Sequence, residues 1–131
     1  MPSTSEAGQT RRLQDIIKFD DKGLIVALCQ HHETGQILMV GYMSAESLEI
    51  TLRERKACFW SRSRQKLWLK GETSGNVLHV KEIRTDCDAD ALLLQCDPVG
   101  PTCHTGETSC FYRFVDFDGT VTLRGDGVAQ Q

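Results

Sequence analysis

LIVALCQHHETGQILMVGY, residues 24 to 42, is the stretch whose reading decides the fold. LIVALCQ (24–30) and ILMVGY (37–42) are short apolar runs, and the HHETGQ between them carries a Thr-Gly turn signal. Two such runs around a turn predict buried strands joined as a hairpin. The same pattern recurs outward. ACFWS (57–61) and LWLK (67–70) flank RSRQ as a second hairpin. FYRFVDF (111–117) and TVTLR (120–124) flank Asp118-Gly119, the strongest hairpin signal in the chain. ALLLQC (91–96) predicts a buried strand, and NVLHVKEIR (76–84), with no cleanly apolar face, an edge or site-forming strand. Between the first two hairpins, SAESLEITLRER (44–55) predicts the principal helix. Ser44 is its N-cap, Glu46 suits the first turn, and Arg53 and Arg55 suit the last. Ala45, Leu48 and Leu52 form its expected apolar stripe. The expected class is α+β, mainly β: about eight short, mostly antiparallel strands with one principal helix at about 45–55.

The chain has 131 residues, 40% hydrophobic and 25% charged, which predicts one soluble domain over 13–131. Residues 1–12, MPSTSEAGQTRR, are polar and predict a disordered segment without the apolar region of a secretion signal. No apolar run approaches the ~20 residues of a membrane span. These features predict a cytoplasmic protein, where six cysteines read as metal ligands, catalytic groups or core residues rather than disulfides. Cys29, Cys58 and Cys96 sit in apolar strands and read as core. A net charge of −3 gives no general reason to expect nucleic-acid binding, so any anion site must be a local positive cluster.

TDCDAD (85–90) places three aspartates around a cysteine. In a strand, Asp86, Asp88 and Asp90 would share one face and Cys87 would take the other. Carboxylates suit Mg²⁺ or Ca²⁺ and a thiolate suits Zn²⁺. Fully extended, the Cα atoms of Asp86 and Asp90 would lie ~13 Å apart, beyond the roughly 10 Å that two aspartates on one ion can bridge. Either the segment curls after Asp88 or an ion uses only some of the three. A solvated acidic turn is the plain alternative.

DPVGPTCHTGETSCF supplies Cys103 and Cys110, seven residues apart in a Gly/Pro/Thr-rich loop. They read either as two loop cysteines or, with Cys87, as three thiolates on one Zn²⁺. Three protein ligands with one open position mark a catalytic site, where bound water ionises near pH ~7. His104, beside a ligand, is then the natural proton carrier. WSRSRQKLWLKGETSGN (60–76) is the second dense stretch. Arg62, Arg64, Lys66 and Lys70 bring positive charge, and Ser61, Ser63, Thr73 and Ser74 bring hydroxyls. Trp60 or Trp68 could stack on a base. A phosphorylated nucleotide fits this set, as does a solvated basic hairpin over two core tryptophans.

Taken together, WSRSR, KGETSGN, KEIRTDCDADALLL and GPTCHTGETSCF resemble the phosphoribosyl-AMP cyclohydrolase family over roughly residues 24–115, and GQILMVGYMSAESLEITL is similar to the family's N-terminal segment. The resemblance implies hydrolysis of the N1–C6 bond of the adenine ring of 1-(5-phosphoribosyl)-AMP, the third step of histidine biosynthesis. It implies zinc on Cys87, Cys103 and Cys110, and magnesium on Asp86, Asp88 and Asp90. It also implies an intertwined homodimer with zinc ligands from both subunits. His104 is the expected acid/base, and Trp60, Ser61, Arg62, Ser63, Arg64, Lys70, Thr73 and Ser74 are the expected substrate contacts. Asn76 departs from the histidine of some relatives. The short remainder after the motifs, ending GDGVAQQ, predicts no fused second activity. A nucleotide-binding module with structural zinc and no turnover is the competing expectation. A zinc deaminase is disfavoured because the full signature, H-x-E with P-C-x-x-C, is absent: no P-C-x-x-C occurs in the chain.

Overall fold

The computed structural model describes residues 10–125. Most of the expected disordered segment 1–12 lies outside them, while residues 10–12 are exposed. The elements are α1 (Leu13–Ile16), β1 (Ile25–His31), β2 (Ile37–Met43), α2 (Ala45–Glu54), β3 (Cys58–Ser61), β4 (Lys66–Leu69), β5 (Leu78–Thr85), β6 (Ala91–Pro98), β7 (Arg113–Val115) and β8 (Val121–Leu123). The mainly β, α+β expectation therefore holds, with eight strands among the described residues. The single turn α1 is an addition, too short to leave a periodic pattern in the sequence.

All three expected hairpins form: β1–β2, β3–β4 and β7–β8 each pair antiparallel. The central sheet runs β2-β1-β6-β5, with β1 and β6 parallel and β5 at the edge. Side-chain alternation sends Ile25, Ala27 and Cys29 of β1 and Leu92, Leu94 and Cys96 of β6 into the core. Cys29, Cys58 and Cys96 are buried free thiols, as expected. On β5 the register skips between Val80 and Glu82, a bulge that leaves Lys81 out of the pairing. Leu78 and Val80 before it and Ile83 after it consequently all pack on the core. That is why simple alternation finds no clean apolar face in 76–84.

Helix α2 starts where expected. Ser44 Oγ accepts the Ser47 N–H at 3.2 Å, and Ser47 Oγ accepts the Ser44 N–H at 2.8 Å, a reciprocal cap. Its buried face differs from the expected stripe: Ser47, Leu48 and Thr51 are buried, while Ala45 and Leu52 are exposed. Thr51 can be buried because its hydroxyl is fully used. It donates to Ser47 O at 2.9 Å and accepts the Cys58 N–H at 3.0 Å, tying the helix to β3. The β3–β4 hairpin then packs against β2, where a Cβ at Gly41 would meet the Phe59 ring at 2.7 Å. No helix among the described residues is long and apolar enough to cross a membrane.

Candidate active site

Two regions concentrate chemistry. The first is the loop after β6. It closes on itself through Cys103 N–H to Glu107 O at 3.1 Å and Gly106 N–H to Cys103 O at 3.0 Å. It is moored to β2 through Cys110 N–H to Leu38 O at 2.7 Å and Ser109 Oγ to Ile37 O at 2.6 Å. This mooring brings the Cys103 and Cys110 thiols together. Burial works against ionising Cys103, but the Thr105 hydroxyl donates to its Sγ at 3.1 Å and the Thr105 amide and Cys110 thiol add to it. Its pKa falls below the ordinary thiol value. Cys110 goes the other way: desolvation first, then the Cys103 sulfur, push it up to about 11. The two thiols are therefore uneven, Cys103 easier to ionise than an ordinary thiol and Cys110 harder, and a thiophilic cation would bind them by displacing their protons.

Cys103 and His104 form one wall of a cavity of about 270 Å³. Lys70, Thr73 and Ser74 line it as well, so five of the expected site residues meet there. Lys70 is 8% exposed and its Nζ lies 5.7 Å from the centre of the Trp68 ring. It forms no ion pair among the described residues and lowers the pKa of both neighbouring thiols. Trp68, not Trp60, reaches this cavity. The register explains it: Trp68 pairs with Phe59 and shares its face, with the rings 5.6 Å apart, while Trp60 pairs with Leu67 on the opposite face.

The WSRSR residues stand elsewhere. Ser61 Oγ accepts the Arg64 N–H at 3.2 Å and lies 3.4 Å from Ser63 Oγ within the β3–β4 turn. Arg62 stacks 3.9 Å over the Tyr42 ring. Tyr42 lines a second cavity of about 450 Å³ together with Asp20 and Asp90.

Asp90 belongs to the second chemical region, the turn joining β5 to β6. Of the two alternatives the sequence leaves for 86–90, the segment takes the curl. Asp86 Oδ1 accepts the Asp90 N–H at 3.0 Å and the Ala91 N–H at 3.2 Å, and Ala89 turns through a left-handed φ of 59°. The curl gathers Asp86, Asp88 and Asp90 so that one ligand oxygen from each lies within 4.8 Å of the others. Desolvation resists ionising Asp86, but Asp90 and the backbone amides it accepts from hold its pKa below the usual value. Hydrogen bonds to Asp88 and Asp86 raise Asp90 to about 6. A hard divalent cation fits this donor set, since its charge would relieve the repulsion among the three carboxylates. Cys87 sits exposed in the same turn. Among the described residues the aspartate trio is the one metal-competent cluster, so Cys87 does not join Cys103 and Cys110 within one chain.

A family model of phosphoribosyl-AMP cyclohydrolase matches residues 39–112, more than half of the chain and both regions at once. The chain belongs to the phosphoribosyl-AMP cyclohydrolase family. Its relatives include proteins named phosphoribosyl-AMP cyclohydrolase from three bacteria. The one from Chloroherpeton thalassium is 59% identical over 109 residues, 83% of this chain and 78% of its own length. That from Granulibacter bethesdensis is 54% identical over 82% of this chain and 84% of its own. The one from Rhizorhabdus wittichii is 52% identical over 82% and 86%. The resemblance read from the motifs is therefore shown, and with it the enzyme class.

Thr105 and Glu107, in the loop that carries Cys103, lie outside the motif reading, which also leaves the choice between Trp60 and Trp68 open. Thr105 tunes Cys103, two positions away, through a contact that only the folded loop creates. Glu107, within the same loop, is fully buried, and a Cβ at Gly125 would come within 2.0 Å of its Oε2. Trp68 is told from Trp60 only by strand register.

Proposed function

We propose that this chain hydrolyses the N1–C6 bond of the adenine ring of 1-(5-phosphoribosyl)-AMP, giving the opened-ring formimino aminoimidazole carboxamide ribonucleotide of histidine biosynthesis. The observation that carries the reading is the cavity in which Cys103 and His104 face Lys70, Thr73 and Ser74, in a chain of this family. A water oxygen bonds to C6, the C6–N1 bond breaks, and N1 takes a proton. His104 moves that proton. Cys87, Cys103 and Cys110 would hold zinc, which supplies the Lewis acidity for hydroxide chemistry near neutral pH. Asp86, Asp88 and Asp90 would hold magnesium. The substrate's two phosphates give a reason for two separate sets of contacts: Lys70, Thr73 and Ser74 at the thiol cavity, and Ser61, Arg62, Ser63 and Arg64 on the β3–β4 turn. Trp60, on the outer face of that turn, is assigned to the second set. With all six cysteines free, the reading suits the reducing cytoplasm.

The active form in this proposal is a homodimer, with Cys87 of one protomer completing the Cys103–Cys110 pair of the other. Three features support it. The thiols do not assemble within one chain. The outer face of the central sheet carries an apolar hollow of about 370 Å³, lined by Val26, Leu28 and Leu93 beside Asp86. The β7–β8 hairpin leaves Phe114, Val115, Val121 and Leu123 each about half exposed or more, at 47%, 66%, 55% and 54%, and an isolated two-stranded hairpin is marginal without cover.

Turnover of phosphoribosyl-AMP, followed by the ultraviolet change on ring opening, tests the proposal. With Mg²⁺ present, activity should vanish on zinc chelation and return on zinc addition. Absence of turnover by zinc-loaded dimer would contradict it.

A further inference from the structure

Asn76 ends the KGETSGN segment and lines the thiol cavity with Cys103 and His104. Its position is set by backbone on two sides. Gly71, at a φ of +84°, approaches so closely that a Cβ there would lie 2.5 Å from Asn76 C. On the other side, a Cβ at Gly100 would lie 2.6 Å from Asn76 Oδ1. The Asn76 backbone N–H donates to Ser74 Oγ at 3.2 Å, fixing the loop beneath it. Its side-chain amide, by contrast, makes no hydrogen bond among the described residues. A half-buried carboxamide, packed against Gly100 but with no hydrogen bond among the described residues, at the wall of a cavity, is equipped to bind a ligand.

The chemistry of the proposed substrate says which group. N1 of its adenine carries the second phosphoribosyl, so the Watson–Crick edge is blocked. The edge left for paired recognition is N6–H and N7, one donor beside one acceptor. Asparagine matches that edge bidentately, with Oδ1 accepting from N6–H and Nδ2 donating to N7. We infer that Asn76 is a specificity-determining residue that reads the N6/N7 edge of the purine and so selects a 6-amino over a 6-oxo ring. This rests on the function proposed above. It also gives Asn76 a task that no proton transfer requires.

Calorimetric titration of zinc-loaded protein with AMP and with IMP tests the inference without turnover. IMP presents two acceptors, O6 and N7, where AMP presents a donor and an acceptor. Wild type should bind AMP about 10- to 100-fold more tightly than IMP. Asn76→Ala should bring that ratio close to one. Asn76→Asp keeps the shape but loses the donor, and should also lower AMP affinity, so it carries the test if the alanine variant misfolds. A preserved ratio in a folded variant overturns the inference, and so does a wild type that binds AMP weakly or no better than IMP. If AMP is discriminated through Asn76 but phosphoribosyl-AMP is not turned over, the inference stands and the proposed reaction falls.

Discussion

The aspartate turn and the thiol loop solve the same electrostatic problem by different means. Each crowds ionisable groups of one sign and makes one of them harder to ionise, Asp90 in one and Cys110 in the other. The aspartate turn does it at the surface. Its three carboxylates are exposed, and repulsion is managed by backbone amides that Asp86 accepts from. The thiol loop does it with a buried Cys103, a hydroxyl from Thr105 and the enclosed cation of Lys70. Crowding of this kind costs the metal-free protein stability, and binding a cation offsets that cost. The difference between them matches the chemistry proposed for each: a hard ion that keeps its water outside, and a soft ion in a sheltered cavity with a proton carrier beside it.

The largest expected effect comes from the thiol side. His104→Ala should lower turnover by about 10²- to 10⁴-fold, with zinc content and dimer mass unchanged. Metal analysis and light scattering on the purified variant check both. A rate near wild type would remove His104 from the chemistry. On the aspartate side, Asp88→Asn should be milder. It should raise the Mg²⁺ concentration for half-maximal turnover by about 10-fold while leaving bound zinc intact. Loss of zinc in this variant would show that the two regions are not chemically separate.

The smallest effect is a pH dependence of metal-free stability. Asp90 is raised above its ordinary value, so ionising it is harder in the folded chain than in the unfolded one. Below the unfolded value, near ~4, the group is protonated in both states and costs nothing. As pH rises through about 6 the folded chain must ionise it against Asp88 and Asp86, and stability is lost. Asp90→Asn removes that loss. In chelator, the variant should therefore melt slightly higher than wild type at pH 7, on the order of one degree, and no higher at pH 4. An identical gap at both pH values would show that repulsion within the turn is not the cause.

Much of this comparison is written locally in the chain. Hairpins announced by Thr-Gly and Asp118-Gly119 form where their turns predict, and the Ser44 cap starts α2. Local signals fail where a long-range contact decides. Thr51 is buried and Leu52 exposed because a hydroxyl finds partners on β3, which hydropathy cannot register. The bulge at Lys81 turns Ile83 inward, and strand register rather than composition brings Trp68 to the cavity. The aspartates were legible as candidate ligands by type, but their convergence depends on Ala89 adopting a left-handed turn that no glycine advertises. For the cysteines, residue type left two loop cysteines or a three-thiolate set open, and Cys87 and its expected partners do not meet within a chain.

That separation is also the point most open to a direct experiment. Cys87→Ala and Cys103→Ala should each abolish turnover alone. Unfolding and refolding the two together, or co-expressing them, allows mixed dimers. In a mixed dimer one site loses both residues and the other keeps Cys87 from one protomer and Cys103 with Cys110 from the other. Recovery of about a quarter of wild-type activity, from half the dimers with one working site each, is the result expected if the zinc site spans the two chains. A mixture that forms mixed dimers and stays inactive would contradict it.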